Sequence, residues 1–270
     1  MFSKSPFLQR LRQDPPLLAD GAMGTTLHAH GVPIDACFDE LNLTQPELVL
    51  RIHRDFVQAG AELLETNTFG ANRYKLGKHG LEDRVAAINT AGVDLARQAA
   101  DAGNHPECIY VAGSVGPLGV RLKPYGRVKP EEARAAFAEQ IAALAGAGAD
   151  AILLETFSDL GEILEALAAA REAAPGVPVI AHVTFAEDDR TLMGDLPAHV
   201  ARELAQAGAD VIGVNCGGGP AQIARILQNM RQAAPEAILS AMPNAGFPQA
   251  VGGRMMYPAT PEYFADYALT

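Results

Sequence analysis

The stretch Leu17-Leu18-Ala19-Asp20-Gly21-Ala22-Met23-Gly24-Thr25-Thr26 carries the fold decision. A short apolar run passes into an acid and small residues, the pattern of a buried strand giving way to a loop. A dinucleotide-binding, doubly wound sheet would place GxGxxG after this strand. The motif is missing here.

Six further apolar runs follow: Leu63–Glu65, Ile109–Ala112, Ile152–Glu155, Val179–Val183, Val211–Val214 and Ile238–Ala241. They lead into the clusters TNTFGAN, GSVGP, TFSD, TFAEDD, NCGGG and MPNAG. Helical stretches separate them. Gln45-Pro46 opens one after Thr44, Lys129-Pro130-Glu131-Glu132 opens another, and a third follows Ser158 with Asp159 as the alternative cap. Polar caps, early Pro or acid and late Gly punctuate helices in this way. Strands alternating with helices imply parallel βαβ units, and near-continuous apolar strands imply a covered sheet.

Seven such strands predict an α/β fold of the (β/α)8 TIM-barrel type, whose usual length is about 250 residues. Polar clusters at the strand ends would then converge on one mouth. The eighth strand and last helix have no counterpart: after Ile238–Ala241 the sequence predicts a long loop through GGRMMYP, then a helix from Thr260-Pro261 running to Thr270. No low-complexity linker divides the chain, so residues 1–270 read as one domain, incomplete at its C-terminal end. An open barrel leaves sheet edges that invite association. An echo links QAGAELLETNTF at Gln58, GAGADAILLETF at Gly146 and QAGADVIGVNC at Gln206. Pairwise repetition and recurring αβ-turn chemistry both account for it.

The 270 residues carry a net charge of −11, and 49 % are hydrophobic. An acidic surface argues against nucleic-acid and anionic-membrane partners. No apolar run approaches the roughly 18 residues of a membrane span, and the N-terminus lacks a signal-type apolar region. Three cysteines without CxxC spacing fit a reducing cytoplasm, not a disulfide framework.

Candidate site residues sit at the strand ends. Asp20 beside the Gly21–Ala22 backbone could hold an ammonium and a carboxylate, although taken alone a turn with a capping Asp explains it better. Glu65 precedes Asn67 and Thr68, and Glu155 ends the fourth run. A carboxylate there is costly unless paired or used. Cys216 precedes three glycines. A lone cysteine is more often a small buried hydrophobe, and zinc wants about four ligands. His182 reads as a core residue. His28, His30, His53, His79, His105 and His199 read as solvated.

Five segments in order, LLADGAMGTTL, GAELLETNTFGAN, VAGSVGPLG, GADAILLETFSDLGE and GADVIGVNCGGGP, resemble the homocysteine S-methyltransferase family. That family includes the homocysteine-binding domain of cobalamin-dependent methionine synthase and betaine–homocysteine methyltransferase. GPLGVRLKPYGRV is most similar to members fused to a methylenetetrahydrofolate reductase domain. The resemblance implies zinc at the mouth, holding the homocysteine sulfur as thiolate for attack on an activated methyl group. It implies that Asp20, Gly21 and Ala22 anchor the amino acid and that Glu155 binds the ammonium; Asn67 and Thr68, at the end of the second run, are expected in the substrate site. Cys216 becomes the first zinc ligand and Asn244 an oxygen ligand. The family's paired-cysteine GGCCG motif has no counterpart before Thr270. The zinc site is therefore expected to be incomplete, and this chain alone to bind zinc weakly and to be inactive. The donor, methylcobalamin or methylfolate through another domain among others, stays open. Two other readings stand beside this one: a different small-molecule barrel enzyme, and a non-catalytic remnant that binds homocysteine or a partner.

Overall fold

The structure is a computed structural model that describes residues 5–13, 15–247, 249–251, 254–257 and 259–268. It divides into two compact units, residues 1–154 with 165–179, and residues 155–164 with 180–270. Six parallel strands carry the α/β fold: β1 (Leu63–Glu65), β2 (Tyr110–Val115), β3 (Ala151–Phe157), β4 (Val179–Val183), β5 (Val211–Cys216) and β6 (Ile238–Pro243). They hydrogen-bond in chain order.

In the first unit, β1 pairs with β2 from Leu63↔Tyr110 to Glu65↔Ala112, and β2 with β3 from Ala112↔Ala151 to Val115↔Leu154. The Ile152 N–H donates to the Pro178 carbonyl at 2.8 Å. Three long helices cover these strands. Pro46–Gln58 buries Val49, Leu50, Ile52 and His53, one helical stripe. Val85–Asp101 buries Ile88, Val93 and Ala96. Pro130–Gly146 buries Phe137, Ile141 and Leu144. Its first turn is closed by the Lys129 N–H donating to Glu132 Oε2 at 2.8 Å.

In the second unit, β4 pairs with β5 from Ile180↔Val211 to Val183↔Val214, and β5 with β6 from Val211↔Ile238 to Cys216↔Pro243. The Thr184 N–H donates to the Phe157 carbonyl at 2.7 Å. Helices Pro197–Gln206 and Pro220–Ala233 pack here. Asp159 caps the helix Leu160–Ala173, its Oδ1 accepting the Gly161 N–H at 2.9 Å. β5 is buried along its length to Asn215, whereas β6 is half-exposed.

Several expectations are corrected. Seven strands of an eight-stranded barrel were expected in this chain, and the described residues hold six in the parallel sheet. The first expected strand, Leu17–Ala19, shrinks to a single bridge between Ala19 and Leu63. Pro15 and Pro16 lack N–H groups for a ladder and Leu18 is 56 % exposed, so nothing prolongs the strand. The loop expected through GGRMMYP instead contains an antiparallel pair, β7 (Gln249–Val251) and β8 (Arg254–Met256). Gly-Gly between two short runs is a hairpin signal. Gly252, Gly253 and Pro258 lie outside the described residues, as do Leu269 and Thr270, so the expected last helix is described as Pro261–Ala268.

The echo segments share one local turn geometry. Gly60, Gly148 and Gly208 end helices at φ 100, 92 and 90, where a side chain is strained. The acid that follows can then grip backbone, as when Asp150 Oδ2 accepts the Val111 N–H at 2.8 Å and an Arg97 N–H at 2.6 Å.

Candidate functional site

In the first unit, Asp20 leaves the Ala19 bridge and donates its N–H to the Leu63 carbonyl at 2.9 Å. Its Oδ2 accepts the Glu65 N–H at 3.0 Å, so the carboxylate is pinned beside the end of β1. A Cβ on Gly21 would meet the Phe56 ring at 2.9 Å, so the chain passes there only without a side chain. Gly21 and Ala22 are exposed. Asn67 and Thr68 are buried and engaged. Asn67 Nδ2 donates to the Phe38 carbonyl at 2.7 Å and to Asn42 Oδ1 at 3.1 Å. Thr68 Oγ1 donates to the Ser114 carbonyl at 2.7 Å and lies 2.6 Å from Thr66 Oγ1. Gln140 Nε2 reaches the Thr68 carbonyl at 2.8 Å.

The second unit gathers a tighter cluster where β3 and β5 end. Asn215, 3 % exposed, is its centre. Its Oδ1 accepts the Thr156 N–H at 2.8 Å. Its Nδ2 donates to Thr156 Oγ1 at 2.8 Å and to Glu155 Oε2 at 3.3 Å, and lies 3.6 Å from Cys216 Sγ. Thr156 Oγ1 is also 3.6 Å from that sulfur. Thr184 Oγ1 donates to the Asn215 carbonyl at 3.0 Å. Thr156 and Cys216 adopt left-handed backbone, φ 62 and 58, uncommon for any residue but glycine and rarest for a β-branched one such as Thr156. Asn244, exposed, donates Nδ2 to the Gly217 carbonyl at 3.3 Å and its N–H to the Gly218 carbonyl at 3.2 Å. Its Oδ1 has no hydrogen bond among the described residues, so an oxygen is left toward solvent.

Burial pushes the Cys216 thiol up; the Thr156 hydroxyl opposes this and the Glu155 charge adds to it. Among the described residues no three His, Cys, Asp or Glu gather as a metal site. A catalytic zinc takes three protein ligands. One thiol and one amide oxygen therefore do not by themselves fit zinc. The three cysteines are free: Cys216 in this cluster, Cys37 half-buried against Ala71, Leu76, Val85 and Ile88, and Cys108 exposed.

His182 is fully buried, as expected of a core histidine. His53 was expected to be solvated and is instead fully buried. It falls on the apolar stripe of its helix, four residues from Val49. Thr156, Thr184 and Asn215 were not singled out from the sequence. Asn215 had one signal, its place beside Cys216 at the strand end.

A model of the family described as homocysteine S-methyltransferase matches residues 17–270. The chain belongs to the homocysteine S-methyltransferase family. Methionine synthase of Mycobacterium tuberculosis is 35 % identical over 261 residues, 93 % of this chain and 22 % of that protein. Methionine synthase of Mycobacterium leprae is 34 % identical over the same shares. The chain thus spans about a fifth of the length of these curated relatives. The metallated crystal structure of the homocysteine methyltransferase MmuM from Escherichia coli superposes with a TM-score of 0.78 at 27 % identity, covering 90 % of this chain and 88 % of that one. Its oxidized form gives 0.76 and covers 86 % of that chain. In this member of the homocysteine S-methyltransferase family, no described helix is long and apolar enough to cross a membrane.

Proposed function

We propose that the chain binds homocysteine as part of a homocysteine S-methyltransferase that makes methionine. One observation carries the reading: in a chain of this family, Glu155 and Cys216 meet around one buried amide at the strand ends. Glu155 is the carboxylate for the substrate ammonium, and Asp20 with the Gly21–Ala22 backbone serves the amino-acid end. Asn67 and Thr68 shape the end of β1 through their internal hydrogen bonds. Cys216 supplies the one thiol of its unit.

The reaction moves a methyl group from its donor to the homocysteine sulfur. The new S–C bond forms as the donor–methyl bond breaks, and the thiol proton passes to solvent. These residues hold and orient the acceptor, so that attack becomes effectively unimolecular. No step is routed through zinc, because the donor set described above does not fit it. The donor stays open among those tested below, and a cobalamin or methylfolate carrier on a further domain is the one in keeping with the greater length of the methionine synthases. The reducing cytoplasm is the proposed setting for the three free thiols.

Turnover tests the reading. The native protein that carries this chain is given L-homocysteine with methylcobalamin, a methylfolate, S-methylmethionine, S-adenosylmethionine or betaine, and methionine is read by mass spectrometry. Methionine from one donor, lost in Cys216→Ser, is expected. No methionine from any donor contradicts the reading.

A further inference from the structure

We infer that Asn215 is the positioning residue that sets the Glu155 carboxylate and the Cys216 sulfur in fixed relation, which rests on the function proposed above. The last residues of β5 pair with β6, Asn215 opposite Met242 and Cys216 opposite Pro243. The Asn215 side chain instead serves the end of β3. There Thr156 has turned left-handed, and its N–H is taken up by Asn215 Oδ1 at 2.8 Å.

Hydrogen counting gives the amide its second task. Nδ2 has two hydrogens. Its acceptors are Thr156 Oγ1 at 2.8 Å and Glu155 Oε2 at 3.3 Å, with Cys216 Sγ at the limit, 3.6 Å away. Thr156 Oγ1, which accepts from Asn215, keeps its own hydrogen and lies 3.6 Å from the sulfur, where either atom can donate. One planar side chain thus orients the carboxylate directly and the sulfur partly through a hydroxyl. A buried amide kept only for packing needs partners of any kind. Here the two shortest bonds go to Thr156, and the remaining contacts reach Glu155 and Cys216, the carboxylate and the thiol of the proposed site. Thr184 holds the same residue from the other side through the Asn215 carbonyl at 3.0 Å.

Calorimetry with L-homocysteine on this chain tests the inference as a double-mutant cycle. The proteins are wild type, Asn215→Ser, Glu155→Ala and the double variant. Asn215→Ser is expected to weaken binding at least tenfold in the wild-type background and to add little in the Glu155→Ala background. Wild-type affinity in Asn215→Ser, or equal losses in both backgrounds, overturns the role. If Asn215→Ser does not fold, Asn215→Asp takes its place, since it keeps an acceptor for the Thr156 N–H while setting an anion beside Glu155. If wild type binds no homocysteine, the proposed function fails, and Asn215 is judged by Cys216 alkylation with iodoacetamide, read on the Cys216 peptide. At least a threefold change of rate in the Asn215 variant then supports positioning, and an unchanged rate overturns it.

Discussion

Thr156 and Cys216 share a rare backbone state, φ 62 and 58, and a hydroxyl-to-sulfur distance of 3.6 Å. Two strands therefore end in the same strained way at the same place. Such outliers persist only where their surroundings over-determine them. Here the surroundings are the Asn215 amide and the Thr184 hydroxyl.

The strain predicts an inverted substitution order at position 156. In an ordinary strand alanine is the more stable replacement. At a left-handed φ an L side chain costs about 1–2 kcal/mol that glycine does not. Thr156→Gly should therefore be more stable than Thr156→Ala by about 0.5–1 kcal/mol in urea unfolding. The opposite order would mean that the backbone there is not left-handed.

Gly217 follows Cys216 at φ 65, and a Cβ on it would stand 2.7 Å from the Phe185 carbonyl oxygen. Neither the contact nor the angle suits alanine. Gly217→Ala should cost about 2 kcal/mol or more, the left-handed penalty plus a backbone clash. Unfolding at wild-type denaturant concentration would remove this account of the loop.

The two buried histidines fix an acid limb. Burial pushes His182 down to about 3 and His53 to about 4, and the ring nitrogens have no hydrogen-bond partner among the described residues. In the unfolded chain both titrate near 6.5. The unfolded state thus binds more protons below that pH. The stability held by the neutral rings is complete above about 6.5 and falls as pH descends toward 4 and 3. Each ring should contribute about 1.4 kcal/mol of loss between pH 7.5 and 5.5. Burial holds the Asp39 carboxyl up, and that contribution runs the other way. The measurement is therefore a comparison. His182→Met should lose about 1.4 kcal/mol less than wild type over this interval. Identical pH profiles would contradict a buried neutral His182.

Zinc gives a further prediction. The cluster offers Cys216 and Asn244, and no triad of metal-binding side chains stands among the described residues. Zinc added to this chain should bind weakly, with less than one ion retained per chain after dialysis. One tightly held ion, lost in Cys216→Ser, would contradict it.

The strands were legible where they are apolar. Val179–Val183 was read to the residue, and the starts of β5 and β6 were placed correctly. Their ends were not. Asn215, Cys216 and Pro243 still pair in the ladder although their residue types signal a loop. Glu155 and Cys216 could be singled out because a charge or a thiol at a buried strand end needs a reason. Thr156 could not, because nothing in threonine's propensity announces a left-handed turn. His53 was misread although its spacing from Val49 marks the buried face. There residue type was given more weight than periodicity. The Leu17–Ala19 strand failed for the converse reason, since an apolar run whose backbone bonds to β1 stop at Leu18 and Asp20 made only a bridge.

The central claim, that the Glu155 cluster receives homocysteine, meets its most direct test in one titration. L-homocysteine is titrated into wild type and into Glu155→Ala by calorimetry. Removing one partner of a buried charged hydrogen-bonded pair costs about 2–5 kcal/mol. The account predicts measurable binding to wild type, and a loss of about thirtyfold or more in Glu155→Ala. No binding to wild type, or equal affinity in the two proteins, would contradict it.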